Sequence, residues 1–217
     1  SVFVNVKETL EVRFSPTIKI VDSILWQWDL IQGATGYRLF SSTGGALSEL
    51  LMDDVTSYFQ TGLAPNAVYS CYLKVYSSEG DFVSVISSAA TEAFPPSGLA
   101  AVSVTSSAIN LSWTANSNPV PGTNFELWRD LSASFTAPVK VILPGLSYQA
   151  HGLLSGTTYY FKTRALSNNG NFTDFDSTIV STATWPPVPG QPGTPTGEAF
   201  GVSSISWNWS AAPFGQS

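Results

Sequence analysis

Two side chains in this chain are natural candidates for covalent chemistry: its one cysteine, Cys71, and its one histidine, His151. Nucleophilic catalysis needs a base within hydrogen-bond reach of the nucleophile. His151 sits two residues before the apolar Leu153, with no arrangement of Ser and Asp around it that reads as a triad. Cys71 alternates with Tyr69, Leu73 and Val75, which places it on the inward row of a strand as a small buried hydrophobe with an inert thiol. One cysteine and one histidine also exclude a structural zinc site. The remaining candidates are acids. Asp53-Asp54 and the group Asn171, Asp174 and Asp176 are expected in loops, the second in the last loop of its block. That second group offers oxygens to calcium but lacks the spacing of an EF-hand, so solvated loop acids are expected. No catalytic residue, cofactor or metal is predicted.

The elements that would position such residues follow from composition. Of 217 residues, 43% are hydrophobic and 13% aromatic, enough to bury a core, while only 11% are charged. Ser and Thr together number 51, beside 17 Gly and 14 Pro, a balance that points to an all-β extracellular protein. Nine Lys and Arg against fifteen Asp and Glu give a formal charge of −6, which leaves no basic field for a nucleic-acid backbone. No run approaches the roughly 18 apolar residues of a membrane span. The opening SVFVNVKETL lacks a basic-then-apolar leader, so any targeting segment is expected outside this chain. With one cysteine, packing and hydrogen bonds must hold the fold without an internal disulfide.

Internal repetition organises the rest. Ser23-Ile-Leu-Trp-Gln-Trp28 recurs as Ala108-Ile-Asn-Leu-Ser-Trp113 and as Ser204-Ile-Ser-Trp-Asn-Trp209, each alternating as a strand does. Tyr58, Leu63, Tyr69 and Gly80 keep their spacings as Tyr148, Leu153, Tyr159 and Gly170, and the blocks close on Phe94-Pro-Pro and Trp185-Pro-Pro. A third such closure, Phe14-Ser-Pro16, follows an alternating run through Val2, Val4, Val6, Leu10 and Val12. The domain reading is therefore residues 1–15 as the last strand of an upstream module, 16–94 and 95–185 as two whole modules, and 186–217 as a Pro/Gly-rich linker with the first strands of a further module. A window cut from a longer array is expected; pairing of the terminal strands between neighbouring copies is the alternative.

Modules of this length, with Trp28 or Trp113 ending the second strand and Leu63-x5-Tyr69 or Leu153-x5-Tyr159 opening the sixth, resemble the fibronectin type III domain. Tyr37-Arg-Leu39 and Phe125-Glu-Leu127 fit the third strand of that pattern, while Cys71 stands where the family usually has Val or Phe and Thr163 where it usually has Val, both small enough for a sandwich core. The resemblance covers nearly the whole chain and implies tandem immunoglobulin-like β-sandwiches. Independently of it, Tyr69, Cys71, Leu73, Val75 and Tyr159, Phe161, Thr163, Ala165 alternate with period two, as strands packed face to face must. Trp28, Trp113 and Trp209 read as packing pins and Leu63 and Leu153 as core residues. Tyr69 and Tyr159 read as tyrosine corners, whose hydroxyl bonds backbone a few residues upstream.

Outward positions carry a second pattern. Phe40, Tyr72 and Tyr76 with Lys74 in the first module, and Trp128 and Tyr160 with Lys162 and Arg164 in the second, fall on one sheet face; they read either as cross-strand pairs or as a contact surface. Sequons at Asn110, Asn171 and Asn208 are compatible with glycans in a eukaryotic host. Five prolines in the eleven residues from Trp185 favour an extended linker, whereas Phe94-Pro-Pro-Ser-Gly-Leu passes almost directly into the next strand, so a rod with limited hinging is expected.

The functional expectation is a non-catalytic, extracellular or cell-surface scaffold, adhesive or structural, of the kind the resemblance implies for bacterial surface fibres. Its partners would be neighbouring modules or copies of itself, or a surface protein or glycan, with no nucleic acid and no membrane insertion within the chain. The alternative is the accessory spacer or carbohydrate-contacting part of a secreted polysaccharide-degrading enzyme. A receptor ectodomain is a third option.

Overall fold

The computed structural model describes residues 12–210 and is all β. The first module comprises β1 (Phe14–Lys19), β2 (Ile24–Trp28), β3 (Ala34–Ser41), β4 (Ser57–Gln60), β5 (Val68–Ser77), β6 (Phe82–Val83) and β7 (Ser87–Ala90). One sheet runs β1-β2-β4 and the other β3-β5-β6, with β7 also on β5. The period-two rows explain why these two sheets meet. Ile24, Trp26 and Trp28 project from β2, Tyr37 and Leu39 from β3, and Cys71, Leu73 and Val75 from β5, and all of them are buried. Large side chains of this kind contribute about 1.5–3 kcal/mol each on full burial. The Trp26 Nε1 donates to Gln60 Oε1 at 2.9 Å, whereas the buried Nε1 of Trp28 has no partner.

The first strand begins at Phe14, two residues before the expected module start. Phe14 pairs with Trp28 in register and stacks on Trp26 at 5.4 Å, so it belongs to this core and not to an upstream unit. Val12 packs partly against the same core. The rest of the expected upstream strand, residues 1–11, lies outside the described residues.

Outside β3, residues 46–51 form a short edge. Leu47 N–H donates to Leu39 O (2.8 Å), Tyr37 N–H to Leu51 O (3.0 Å) and Leu51 N–H to Tyr37 O (2.7 Å). A Cβ at Gly36 would lie 2.8 Å from Leu51 O, so this close approach needs glycine.

The second module repeats the plan with β8 (Ser97–Val104), β9 (Ala108–Thr114), β10 (Asn124–Asp130), β11 (Val139–Leu143), β12 (Ser147–His151), β13 (Thr158–Leu166), β14 (Phe172–Phe175) and β15 (Val180–Ala183). Its sheets run β12-β9-β8 and β11-β10-β13-β14, with β15 also on β13. Ile109, Leu111, Trp113, Phe125, Leu127, Leu153, Phe161 and Ala165 fill the core, and Thr163 satisfies its hydroxyl there by donating to Glu126 O at 3.1 Å. Both tyrosine hydroxyls accept from backbone five residues upstream, Tyr69 from Ala64 N–H at 2.8 Å and Tyr159 from Leu154 N–H at 3.0 Å. Leu63 is half-buried and Leu153 buried.

The modules are joined through buried polar groups. Asn66, 1% exposed and at φ +49°, receives Asn168 N–H on its side-chain oxygen and the Asn168 side-chain amide on its carbonyl, both at 2.6 Å. Its own Nδ2 donates to Thr123 Oγ1 at 2.8 Å. Beside it, Ala93 N–H donates to Ser167 Oγ (2.9 Å), and Asn118 exchanges hydrogen bonds with the backbone of Phe94. Gly156 holds the same step of module two at φ +60°: as Asn66 N–H donates to Glu92 O, so Gly156 N–H donates to Trp185 O. This places Glu92, rather than Phe94, opposite Trp185 in the repeat.

Beyond the linker, β16 (Thr196–Gly201) and β17 (Ser204–Asn208) form a two-stranded hairpin. Ile205, Trp207 and Trp209 are all well exposed there. Trp209 is therefore not a buried pin like Trp28 and Trp113: among the described residues no second sheet covers this hairpin.

Candidate functional site

The catalytic candidates separate. Cys71 is buried on β5, and burial pushes its thiol up to about 12, the condition of an unreactive group. His151 is exposed at the end of β12. Asn171, Asp174 and Asp176 do not share a loop. Phe172–Phe175 is strand β14, which carries Asp174 exposed, while Asp176 is buried and accepts Leu99 N–H and Thr178 N–H at 2.9 Å each. Sequence reading missed this strand because it is short and contains the polar pair Thr173-Asp174. Among the described residues no three His, Cys, Asp or Glu side chains converge as metal ligands would. Asn110 donates to Ser103 Oγ, while Asn171 and Asn208 are exposed.

The outward aromatics are brought together, though differently in each module. All five expected contact residues, Phe40, Tyr72, Tyr76, Trp128 and Tyr160, are half-buried. In module one Phe40 stacks on Tyr72 at 5.5 Å, Arg38 lies over Phe40, and Lys74 lies 4.7 Å from the Tyr76 ring while pairing with Asp81 at 3.0 Å. That ion pair raises the Lys74 pKa. Every cation on this face thus has a local partner, since Arg38 also donates to Ser48 O at 3.0 Å.

In module two the same face is denser. Cross-strand register sets Trp128 opposite both Lys140 on β11 and Lys162 on β13, and their ammonium groups sit 4.1 and 4.4 Å from its ring. Lys162 is also 4.3 Å from Phe135 and 4.1 Å from Phe175, so three rings surround one cation. Arg164 lies 4.0 Å from Phe172 and bonds Glu126 at 2.6 Å. Each cation–ring contact adds about 0.5–2 kcal/mol, more where water is excluded.

A loop is folded to complete this cage. Asp130 accepts Leu131, Ser132 and Ala137 N–H groups, and these bonds, Ala137 first, hold its carboxyl below the ordinary range. The turn brings Phe135, buried at φ +48°, edge-on to Trp128. Burial, then the neighbouring Arg164 and Lys140, lower the Lys162 pKa. Phe135, Phe172, Phe175 and Lys140 escaped the sequence reading because they come from a loop and from edge strands. The signal that was available was the interleaving of cations and rings at equal strand parity.

The charge balance follows. Residues 95–185 hold four Lys and Arg against four Asp and Glu, while 16–94 hold three against eight, a formal −5. Three acids of module two are spent internally: Glu126 on Arg164, Asp130 and Asp176 on backbone. Among the described residues Lys140 and Lys162 form no ion pair. Module two therefore turns a cationic, aromatic sheet face outward, with Lys140 exposed on its edge strand.

A family model and a solved two-module structure agree with this architecture. Residues 94–181 match the family model of the fibronectin type III domain. A two fibronectin type III domain segment of chicken tenascin is similar in structure, with a TM-score of 0.54 and 17% identity over 78% of this chain and 98% of that one. The FN1–FN3 domains of chicken CNTN1 align over 92% of this chain and 73% of theirs, at 13% identity and a TM-score of 0.41. No curated protein matches the chain.

Proposed function

We propose that this chain, a tandem fibronectin type III protein, is a non-catalytic extracellular scaffold of structural or adhesive kind, in which the modules hold distance and orientation. The observation that carries the reading is the joint at Asn66. A buried asparagine with its side-chain and carbonyl oxygens and its amide all engaged across the boundary costs free energy to open, because each stranded buried polar group costs about 1–3 kcal/mol. A spacer needs such a joint; a flexible tether does not. The spent acids and the inert thiol support the non-catalytic part. Spin labels at Ser78 and Ser181, one in each module, test it: a narrow distance distribution is expected, broadened by Asn66→Ala. A broad distribution in the parent chain, or hydrolysis of peptide, ester or glycoside substrates abolished by a point change within residues 16–185, overturns the reading.

A further inference from the structure

The two modules expose the same edge with opposite charge. In module two the outer edge of the larger sheet is β11, whose exposed residues are Val139, Lys140 and Ile142. In module one the edge beside β3 is the segment 46–51 and its continuation, which exposes Glu49, Leu50, Met52, Asp53 and Asp54. Each is an apolar edge flanked by charge: Leu50 and Met52 are 62% and 71% exposed, Val139 and Ile142 58% and 52%. An exposed sheet edge presents unpaired N–H and C=O groups to any strand of suitable shape. Like edges would repel here, basic against basic or acidic against acidic; the unlike pair attracts.

We propose that copies of this chain associate through these unlike edges, β11 of module two in one copy against the 47–54 edge of module one in the next. Main-chain hydrogen bonds along residues 47–51 would extend the sheet, as in strand addition, with the Asp53-Asp54 turn projecting beyond it. Leu50 and Met52 would cover Ile142, which shares the outward face with Lys140, and Glu49, Asp53 and Asp54 would meet Lys140 with the Lys162 charge behind it. The cage prepares the surface: with three of the module's four acids used elsewhere, Lys140 and Lys162 remain without an ion pair until an acidic edge arrives. The contact rests on the scaffold reading and names its partner, a second copy of the chain, yet it fails separately. A monomeric chain with a narrow label distribution loses the contact and keeps the scaffold.

Sedimentation velocity of the full chain tests it at roughly 10 mM and roughly 1 M NaCl, between which the screening length falls from about 30 Å to about 3 Å. Concentration-dependent association at low salt, weakened at high salt, is expected. Lys140→Glu alone and Asp53→Lys with Asp54→Lys should each weaken self-association about tenfold or more. Mixing the two variants should restore it, because each then carries the edge that complements the other. Both sites are exposed, and unchanged thermal melts confirm folding. A chain that stays monomeric at all salts, or variants whose mixture remains as weak as either alone, overturns the proposal. Salt-sensitive binding of polygalacturonate at Lys140 without self-association overturns it equally, and assigns the face to an acidic polysaccharide.

Discussion

Asn66 and Gly156 occupy the same step of the same turn in successive modules, each with positive φ and each donating its N–H to the segment that leaves the module. One has a side chain that reaches the next module; the other has none. The joint after module one is accordingly closed by side-chain hydrogen bonds, while the route out of module two is Trp185-Pro-Pro, with Trp185 held by its backbone to Thr105 and its ring exposed. The comparison teaches that a repeated fold need not repeat its joints. The left-handed turn is served equally by Gly and Asn, so a single residue decides whether a boundary is bracketed.

The largest expected effect bears on whether the bracket merges the two folding units. Trp113→Ala opens a cavity at the centre of module two and should cost about 3–5 kcal/mol there. Amide exchange should show faster opening at Phe161 with Leu73 nearly unchanged. Equal acceleration at both would break the comparison, since the bracket would then bind the modules into one cooperative unit. Next comes the bracket itself. Asn66→Ala strands Thr123 and the Asn168 amide and replaces a residue that tolerates positive φ, for a loss of about 1–3 kcal/mol read as increased exchange at Asn168.

Smaller still, Tyr159→Phe leaves Leu154 N–H without its hydroxyl acceptor and should lower the stability of module two by about 1 kcal/mol, read as a lower midpoint in denaturant melts. A neutral result would remove the locking role of that bond. The smallest effect is expected for Gly156→Asn, within about 0.5 kcal/mol, because Asn tolerates the turn and meets no polar partner across the proline linker. A gain well above that would reveal a second bracket and erase the contrast between the joints.

Much of this was legible in the sequence, and the limits are physical. Inward rows such as Ile24, Trp26, Trp28 and Tyr159, Phe161, Thr163, Ala165 announce themselves because burial on one sheet face forces period two on local sequence. The tyrosine corners follow from their fixed distance to Leu63 and Leu153. The joint was not legible: Asn66 meets residues 57 and 102 positions away, and an Asn in a turn has a sufficient local reason to be there. The candidate face was half legible. Trp128, Lys162 and Arg164 stand on recognisable strands, but Phe135 and Phe175 reach them only after a loop and an edge strand have folded back.

The bracketed joint also has a consequence for symmetry. Fixing the rotation between modules one and two fixes the rotation between the acidic edge of a copy and its basic edge. A contact between unlike surfaces is heterologous, so each added copy repeats one screw operation and leaves one edge of each kind free at the ends. Assembly of that kind closes into a ring only if the rotation divides a full turn. Otherwise it grows as an open helix, whose pitch would be written at Asn66.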